Sequence, residues 1–251
     1  LKNVNAGVVV MSHRGYSNGR LSVLLSSVPE NYPTVVSDDT IADWEARENE
    51  KVCKHHGATY ARCVPWGGRA RNAQHSMECS TFQVVVYVSD DVWLFPEAVL
   101  QSLGWNYRLR DAGLPLACLT IPGWETYREH VKWGFASWEQ CLTEPWRFEA
   151  VPPNPAFQRG PALHKNPFGA AMVINRDAYN ELGGFDGRYW AHDDVFNHKV
   201  WLSKKWCNAM YYGRGYMHIG AQSWHHGESE EYVGSFEAAT GLKAEESGRR
   251  Q

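Results

Sequence analysis

Four short apolar runs dominate the first 92 residues: Ala6 to Met11, Thr34 to Ser37, Thr59 to Val64 and Phe82 to Val88. Ala6 to Met11 reads as a buried strand, Thr34 to Ser37 and Thr59 to Val64 as a second and a third strand, and Phe82 to Val88 as the most convincing strand of all. The intervening segments Arg20 to Ser27, Ile41 to His56 and Asn72 to Cys79 carry helical patterning, with Pro29 and Gly57 as stops. Strands alternating with helices at this spacing leave few folds open. The crossovers make the strands parallel, and helices must cover both faces of the sheet. In such sheets ligands bind beyond the carboxyl ends of the strands. Two of the runs end there in acid pairs, Asp38-Asp39 and Asp90-Asp91.

At 251 residues the chain suits one large α/β domain. A net charge of −3 gives no overall electrostatic footprint for nucleic acid or an anionic membrane. The six cysteines show no close pairing, so neither a zinc ribbon nor a redox motif is indicated, and reduced thiols are expected. No apolar run approaches the ~20 residues that span a bilayer, and LKNVNAGVVV lacks a basic region followed by a long apolar core. A soluble, cytoplasmic protein is expected. After Leu103 the pattern becomes irregular, with five tryptophans between Trp105 and Trp146 and a proline-rich passage from Pro145 to Pro167. A long aperiodic stretch in a compact domain reads as a binding segment. Its aromatic rings suit stacking on sugars or bases, plain core being the alternative.

The stretch from Gly169 to Trp201 holds the most chemistry. Ala170 to Ile174 reads as a strand, Arg176 to Leu182 as a helical turn or two, and Gly183-Gly184 as its stop. Asp193-Asp194 then opens a helix whose apolar members are Val195, Phe196, Val200 and Trp201. Acids in a first helical turn are favoured by free amides and the macrodipole, so they are either caps or a catalytic base.

The order strand, Gly183-Gly184-Phe185-Asp186, Tyr189-Trp190, Asp193-Asp194, helix resembles the second half of the family 2, GT-A type glycosyltransferases. Other parts follow in the family's order across about Gly7 to Ser229. Ser12-His13-Arg14 stands after the first strand, and Asp38 after the second. Gly67 to Asn72 resembles the Gly-x-x-x-Ala-Arg-Asn helix start, Tyr87 to Val92 the DXD region, and Tyr216 to Ser229 the closing His-x-x-Gly-x-Ser element.

This resemblance implies a GT-A fold, a mixed, mainly parallel sheet flanked by helices in a single domain. Residues about 1–92 would form the nucleotide-sugar half, about 93–229 the acceptor and catalytic half, and 230–251 a tail. It implies metal-dependent, inverting transfer of a sugar from a nucleotide-diphosphate donor, a UDP-sugar being favoured, to an acceptor hydroxyl. Asp194 takes the place of the base with Asp193 beside it, and His192 could tune or replace it. Mn2+ or Mg2+ would be held by Asp91 and His225, with His226 and His218 as alternatives to the histidine. The first acid of DXD is replaced here by Val88 or Ser89, leaving Asp90 as the second choice of ligand. Ser12, His13, Arg14, Asp38, Arg71 and Asp90 would bind the nucleotide sugar, Asp38 accepting from a pyrimidine base. Trp124, Trp133, Trp138 and Trp190 would meet the acceptor, a glycan or modified DNA. A phage-type enzyme acting on hydroxymethylated pyrimidines is suggested by Arg108, Arg110, Lys132, Arg147, Arg159 and Lys165 among the aromatics. A catalytically silent sugar-binding protein is a second alternative, because fold does not fix function. The expected compartment is the cytoplasm of a bacterium or a phage-infected cell.

Overall fold

In the computed structural model the valine-rich runs form the middle of one sheet. The structure describes residues 5–13, 15, 19–125, 162–164, 170–189, 192–211, 215–218, 234–235 and 237–241. Strand β1 (Ala6–Ser12) pairs in parallel with β2 (Thr34–Asp38) and β4 (Val84–Ser89), and β2 with β3 (Thr59–Arg62). The crossovers are α1 (Arg20–Ser27), α2 (Asp43–His55) and α3 (Gly68–Glu78). The chain continues through β5 (Val92–Leu94), α4 (Ala98–Asp111), β6 (Leu116–Thr120) and β7 (Gly123–Glu125). Then come β8 (Ala162–His164), β9 (Ala171–Asn175), helix α5 (Arg176–Glu181), helix α6 (His192–Ser203), β10 (Cys207–Met210) and β11 (Tyr216–His218).

The eight-stranded sheet has the order β3-β2-β1-β4-β9-β6-β10-β8. Only β9, against β4 and β6, and β8, against β10, make antiparallel pairs in it. A second sheet, β5-β11-β7, has three strands. The expected mixed, mainly parallel sheet is what the chain forms.

Side-chain alternation along the buried strands builds two cores. Val8, Val10, Val84, Val86 and Val88 face α1 and α4, where they meet Leu21, Leu24, Val99 and Leu103. Val9, Met11, Val85 and Tyr87 face α3, α5 and α6, where they meet Ala73, Met77, Tyr179, Phe196 and Val200. Arg176 ties the second layer to the sheet by donating to the carbonyls of Met77, Ser80 and Phe82 and to Ser80 Oγ. Two of those carbonyls, Met77 and Ser80, lie at or beyond the C-terminal turn of α3, where the regular helical bonding ends.

The sequence reading gave no element between Leu103 and Gly169, whereas the structure continues α4 to Asp111 and adds β6 and β7. Helix α4 buries Ala98, Val99, Ser102, Leu103 and Asn106, a helical stripe disguised by its two polar members. Cys53, Cys63, Cys79, Cys118 and Cys207 are free thiols. Among the described residues no helix is long and apolar enough to cross a membrane.

Candidate functional site

The register of the central strands gathers acids at one edge. Ser12 stands opposite Asp38, and Met11 opposite Ser89, so the segments after β1, β2 and β4 leave the sheet together. Asp90 is buried there, and its Oδ2 accepts from Ser12 Oγ–H and the His13 backbone N–H, both at 2.8 Å. Gly15 permits this closure: a Cβ on it would stand 2.7 Å from Ser12 Oγ and 3.2 Å from Asp90 Oδ2. The Asp90 carboxyl is pushed up to about 7, by burial first and by the neighbouring Asp91 second. The His13 and Ser12 hydrogen bonds and Arg20 offset this in part. Two crowded carboxylates, both buried, form a site where a hard divalent cation would relieve the repulsion. In this respect the residues fit a metal. Among the described residues no three His, Cys, Asp or Glu side chains are grouped to hold one.

The second acid pair divides its labour. Asp38 is fully buried and its acceptor positions are filled. Oδ1 takes the backbone N–H and hydroxyl of Thr40 at 3.0 and 2.6 Å, and Oδ2 takes Asn49 Nδ2 and the Tyr60 hydroxyl at 3.0 and 2.8 Å. That geometry builds the turn after β2 and leaves no lone pair for a nucleotide base. The neighbouring Asp39 is oriented differently. Its Oδ1 lies 2.7 Å from His13 Nδ1, and the His13 side chain is 53% exposed while that of Asp39 is 1% exposed. A buried carboxylate thus anchors an imidazole that stands in solvent at the strand-end edge.

Helix α3 closes this side. Asn72 donates to the Ser12 carbonyl and accepts from Ser37 Oγ, fixing the helix start to the ends of β1 and β2. Arg71 is ion-paired with Glu78 at 2.9 Å, along its own helix. A Cβ on Gly187 would lie 3.3 Å from Arg71 Cα, so the turn after Phe185-Asp186 packs on the start of α3.

The catalytic candidates arrive from the opposite direction. Helix α5 ends at Gly183 and Gly184, with φ of 74° and 58°, a left-handed pair that L side chains rarely adopt. Phe185 is thereby delivered into an aromatic cluster with Tyr87, Tyr179, Phe196 and His192, at centroid separations of 5.0 to 5.7 Å. Asp186 is held by Arg188 at 2.7 Å, which keeps its carboxyl below the usual range. Helix α6 then opens with His192 and Asp194 buried and Asp193 half-buried. His192 Nε2 lies 3.2 Å from the Tyr87 hydroxyl, three residues before Asp90 on β4. Burial raises the Tyr87 phenol, Arg69 opposes this, and the charges of Asp193 and Asp91 add to it. Asp91 and Asp193, about a hundred residues apart in sequence, thus both act on the phenol of Tyr87.

Some expected site residues lie outside the described residues: Arg14, Trp133, Trp138, Trp190 and His225. Trp124 is described in backbone only, on β7 beside β11. Strand β11 runs antiparallel to β5 with His218 opposite Val92, next to Asp91. Arg108 and Arg110, two of the six basic residues that suggested DNA, lie at the opposite edge of the sheet. Arg108 stacks on Trp105, and Arg110 binds Asn175 and Asp177 where β9 ends.

Three residues of this site were not singled out from sequence: Asp39, Asn72 and Tyr87. Strand alternation could have found two of them, since Tyr87 must face the helix layer opposite Val86, and Asp38 the layer of Val36.

No family model matches the chain, and no curated protein matches it in sequence. Solved structures do match in fold. TarS residues 1–349 from S. aureus superposes with a TM-score of 0.60 at 12% identity, over 94% of this chain and 72% of that one. The mannosyltransferase PcManGT from Pyrobaculum calidifontis, in complex with GDP-Man and Mn2+, gives 0.62 at 14% identity, over 94% and 62%. GalNAc-T7 with UDP, GalNAc and Mn2+ gives 0.55 at 14% identity, over 85% and 44%. The chain spans less than two thirds of the last two. The fold is therefore the GT-A fold of nucleotide-sugar transferases.

Proposed function

We propose that this protein is a metal-dependent, inverting glycosyltransferase that moves a sugar from a nucleotide-diphosphate donor to an acceptor hydroxyl. One observation supports the reading: Tyr87, on the strand that runs out to the crowded Asp90-Asp91, bonds His192, which opens the helix carrying Asp193-Asp194. In open α/β sheets ligands bind beyond the carboxyl ends of the strands, which supports a donor at that edge, and TarS has been solved with UDP-GlcNAc and PcManGT with GDP-Man. Asp39, with the His13 imidazole that it orients, takes over from Asp38 the recognition of the nucleotide, joined by Ser12, Arg14 and Arg71. Asp38 instead builds the turn that holds Asp39 in place. Asp91 and His225 would hold Mn2+ or Mg2+, which neutralises the diphosphate as it leaves. Asp194 removes the proton from the acceptor hydroxyl, and that oxygen attacks the anomeric carbon opposite the departing diphosphate. Asp193 orients the acceptor beside it. The tryptophans Trp124, Trp133, Trp138 and Trp190 offer it stacking faces. With Arg108 and Arg110 at the far edge, a glycan or small acceptor is favoured over DNA.

The test is a thermal-shift screen of UDP- and GDP-sugars with Mn2+ or with excess chelator, followed by hydrolysis of the best donor. A donor that binds N but not U at a hundredfold over its Kd stabilises by about 2.7 kcal/mol, roughly 5–11 °C for a chain of this size. The expected result is a shift with one class of nucleotide sugar in Mn2+ and none in chelator. No shift with any nucleotide sugar, in metal or without, would refute the reading.

A further inference from the structure

Helix α6 is held to the sheet by two kinds of contact. Phe196 and Val200 are buried in the second core, and they set how closely the helix approaches β4 and β9. Such contacts are non-directional. Directional contacts come from Asn208 of β10, whose Nδ2 lies 3.4 Å from the Asn197 carbonyl in mid-helix, and from His192 at the first position of α6. Its Nε2 is 3.2 Å from the hydroxyl of Tyr87, a fully buried side chain on the central strand β4. The same hydroxyl lies 3.3 Å from Met11 Sδ on β1. With Nε2 unprotonated the phenol donates to His192; with Nε2–H the imidazole donates to the phenol oxygen and the phenolic proton goes to Met11 Sδ, so either tautomer bonds His192 to Tyr87. Burial keeps that proton on Tyr87 throughout the working pH range.

We infer that His192 is a positioning residue. Its bond to Tyr87 fixes the first turn of α6, and so the Asp193-Asp194 pair, against the strand that ends in Asp90-Asp91. This rests on the glycosyl-transfer reading, in which the base must be set against a sugar held at that strand end. The arrangement is short and stiff. Tyr87 and Asp90 are three residues apart on one strand and its continuation, and His192 and Asp194 are two apart in one helical turn. A shift of about 1 Å between a base and its substrate can cost a hundredfold in rate. Phe185 packs edge-on against both Tyr87 and His192, at centroid distances of 5.2 and 5.0 Å, and excludes water from the bond. A histidine that merely filled core would need the ring and not the nitrogen.

The two roles separate under substitution. His192→Phe keeps a ring in the aromatic cluster and removes the nitrogen, Tyr87→Phe removes the hydroxyl, and His192→Gln offers Tyr87 an amide in place of Nε2. Positioning predicts that each Phe variant lowers kcat by about 10- to 100-fold. Donor KM should hold within twofold, and the double variant should be no worse than either single one, because both break the same bond. His192→Gln should recover most of the rate. Amide hydrogen exchange, which needs no turnover, should quicken over residues 193–196 in His192→Phe and stay unchanged over residues 200–203. Unchanged kcat in both Phe variants of an active enzyme would overturn the inference and leave the glycosyl-transfer reading standing. So would exchange that quickens along all of α6, or not at all. A wild-type protein that turns over no nucleotide sugar would remove the reading and this role together.

Discussion

Asp90 should make the metal-free protein less stable as the pH rises, and Asp90→Asn should remove that loss. In the unfolded chain this carboxyl ionises near 3.8, and in the folded protein near 7. Between those values the folded state holds a proton that the unfolded chain has released. The unfolding free energy therefore falls as pH rises from about 4 to about 7, and above 7 the loss is complete. Three pH units at about 1.4 kcal/mol each give a ceiling of about 4 kcal/mol. Protonating either member of the pair relieves Asp91 as well, so the cost belongs to both, and about 2–4 kcal/mol is expected. Asparagine suits the site because both hydrogen bonds to Asp90, from Ser12 Oγ and His13 N, end on one oxygen. An amide oxygen there accepts both and carries no charge. Denaturant unfolding in chelator at pH 5 and pH 8 should show wild type losing stability and Asp90→Asn holding level. At pH 8 the variant should melt some 5–12 °C above wild type. Added Mn2+ should then raise wild type more than the variant. A variant less stable than wild type at pH 8, or two parallel pH profiles, would show that Asp90 is at ease as an anion and would refute the argument.

Asp38→Ala should destabilise the fold by about 3–5 kcal/mol, read in denaturant melts, because it strands the donors of Thr40, Asn49 and Tyr60 in the interior. Asp39→Asn should instead weaken nucleotide binding by about 1–3 kcal/mol in calorimetry with the melting temperature little changed. Arg176→Met should cost about 2 kcal/mol of stability by leaving the Ser80 and Phe82 carbonyls without their guanidinium donor, Met77 keeping its bonds from Ser80, while donor KM stays the same. Asp194→Asn should bind donor and metal normally yet lose about 10²- to 10⁴-fold in kcat, with Asp193→Asn milder, in a single-turnover transfer assay.

How much of this was legible depended on whether pattern or pairing made the element. The strands β1, β2, β4 and β9 are β-branched runs buried on both faces, and their sequences declare it. Strand β10, Cys207-Asn208-Ala209-Met210, has no such signature and exists because β6 and β8 bracket it. Helix α4 was lost to its buried Ser102 and Asn106, the second of which finds its partner in Asn175, sixty-nine residues away. The acid pairs were visible as acids at strand ends. Which member does what was not visible, because Asp38 and Asp39 differ only in the face they take. Asp38 follows Val36 toward α2 and meets Asn49, while Asp39 turns toward the end of β1 and meets His13.

The antiparallel β9 explains how the start of α6 comes back to β4, where His192 meets Tyr87. It starts at the edge where β4 ends, with Ala171 opposite Val88, and descends to Asn175 opposite Val84. The chain must then climb back before α6 can begin at the upper edge. Helix α5 covers part of that distance in six residues and is stopped by the left-handed Gly183-Gly184, so the remaining turn is free to deliver Phe185 against Tyr87. A Cβ on Gly184 would meet the Tyr179 ring at 2.6 Å, so the turn cannot be exchanged for an ordinary helix end. The glycine pair therefore belongs to the site although it touches no ligand. It determines where α6 starts, and with it where the buried Asp194 stands. Crowding Asp90 against Asp91 out of water lowers the stability of the fold, a cost that a bound cation would offset.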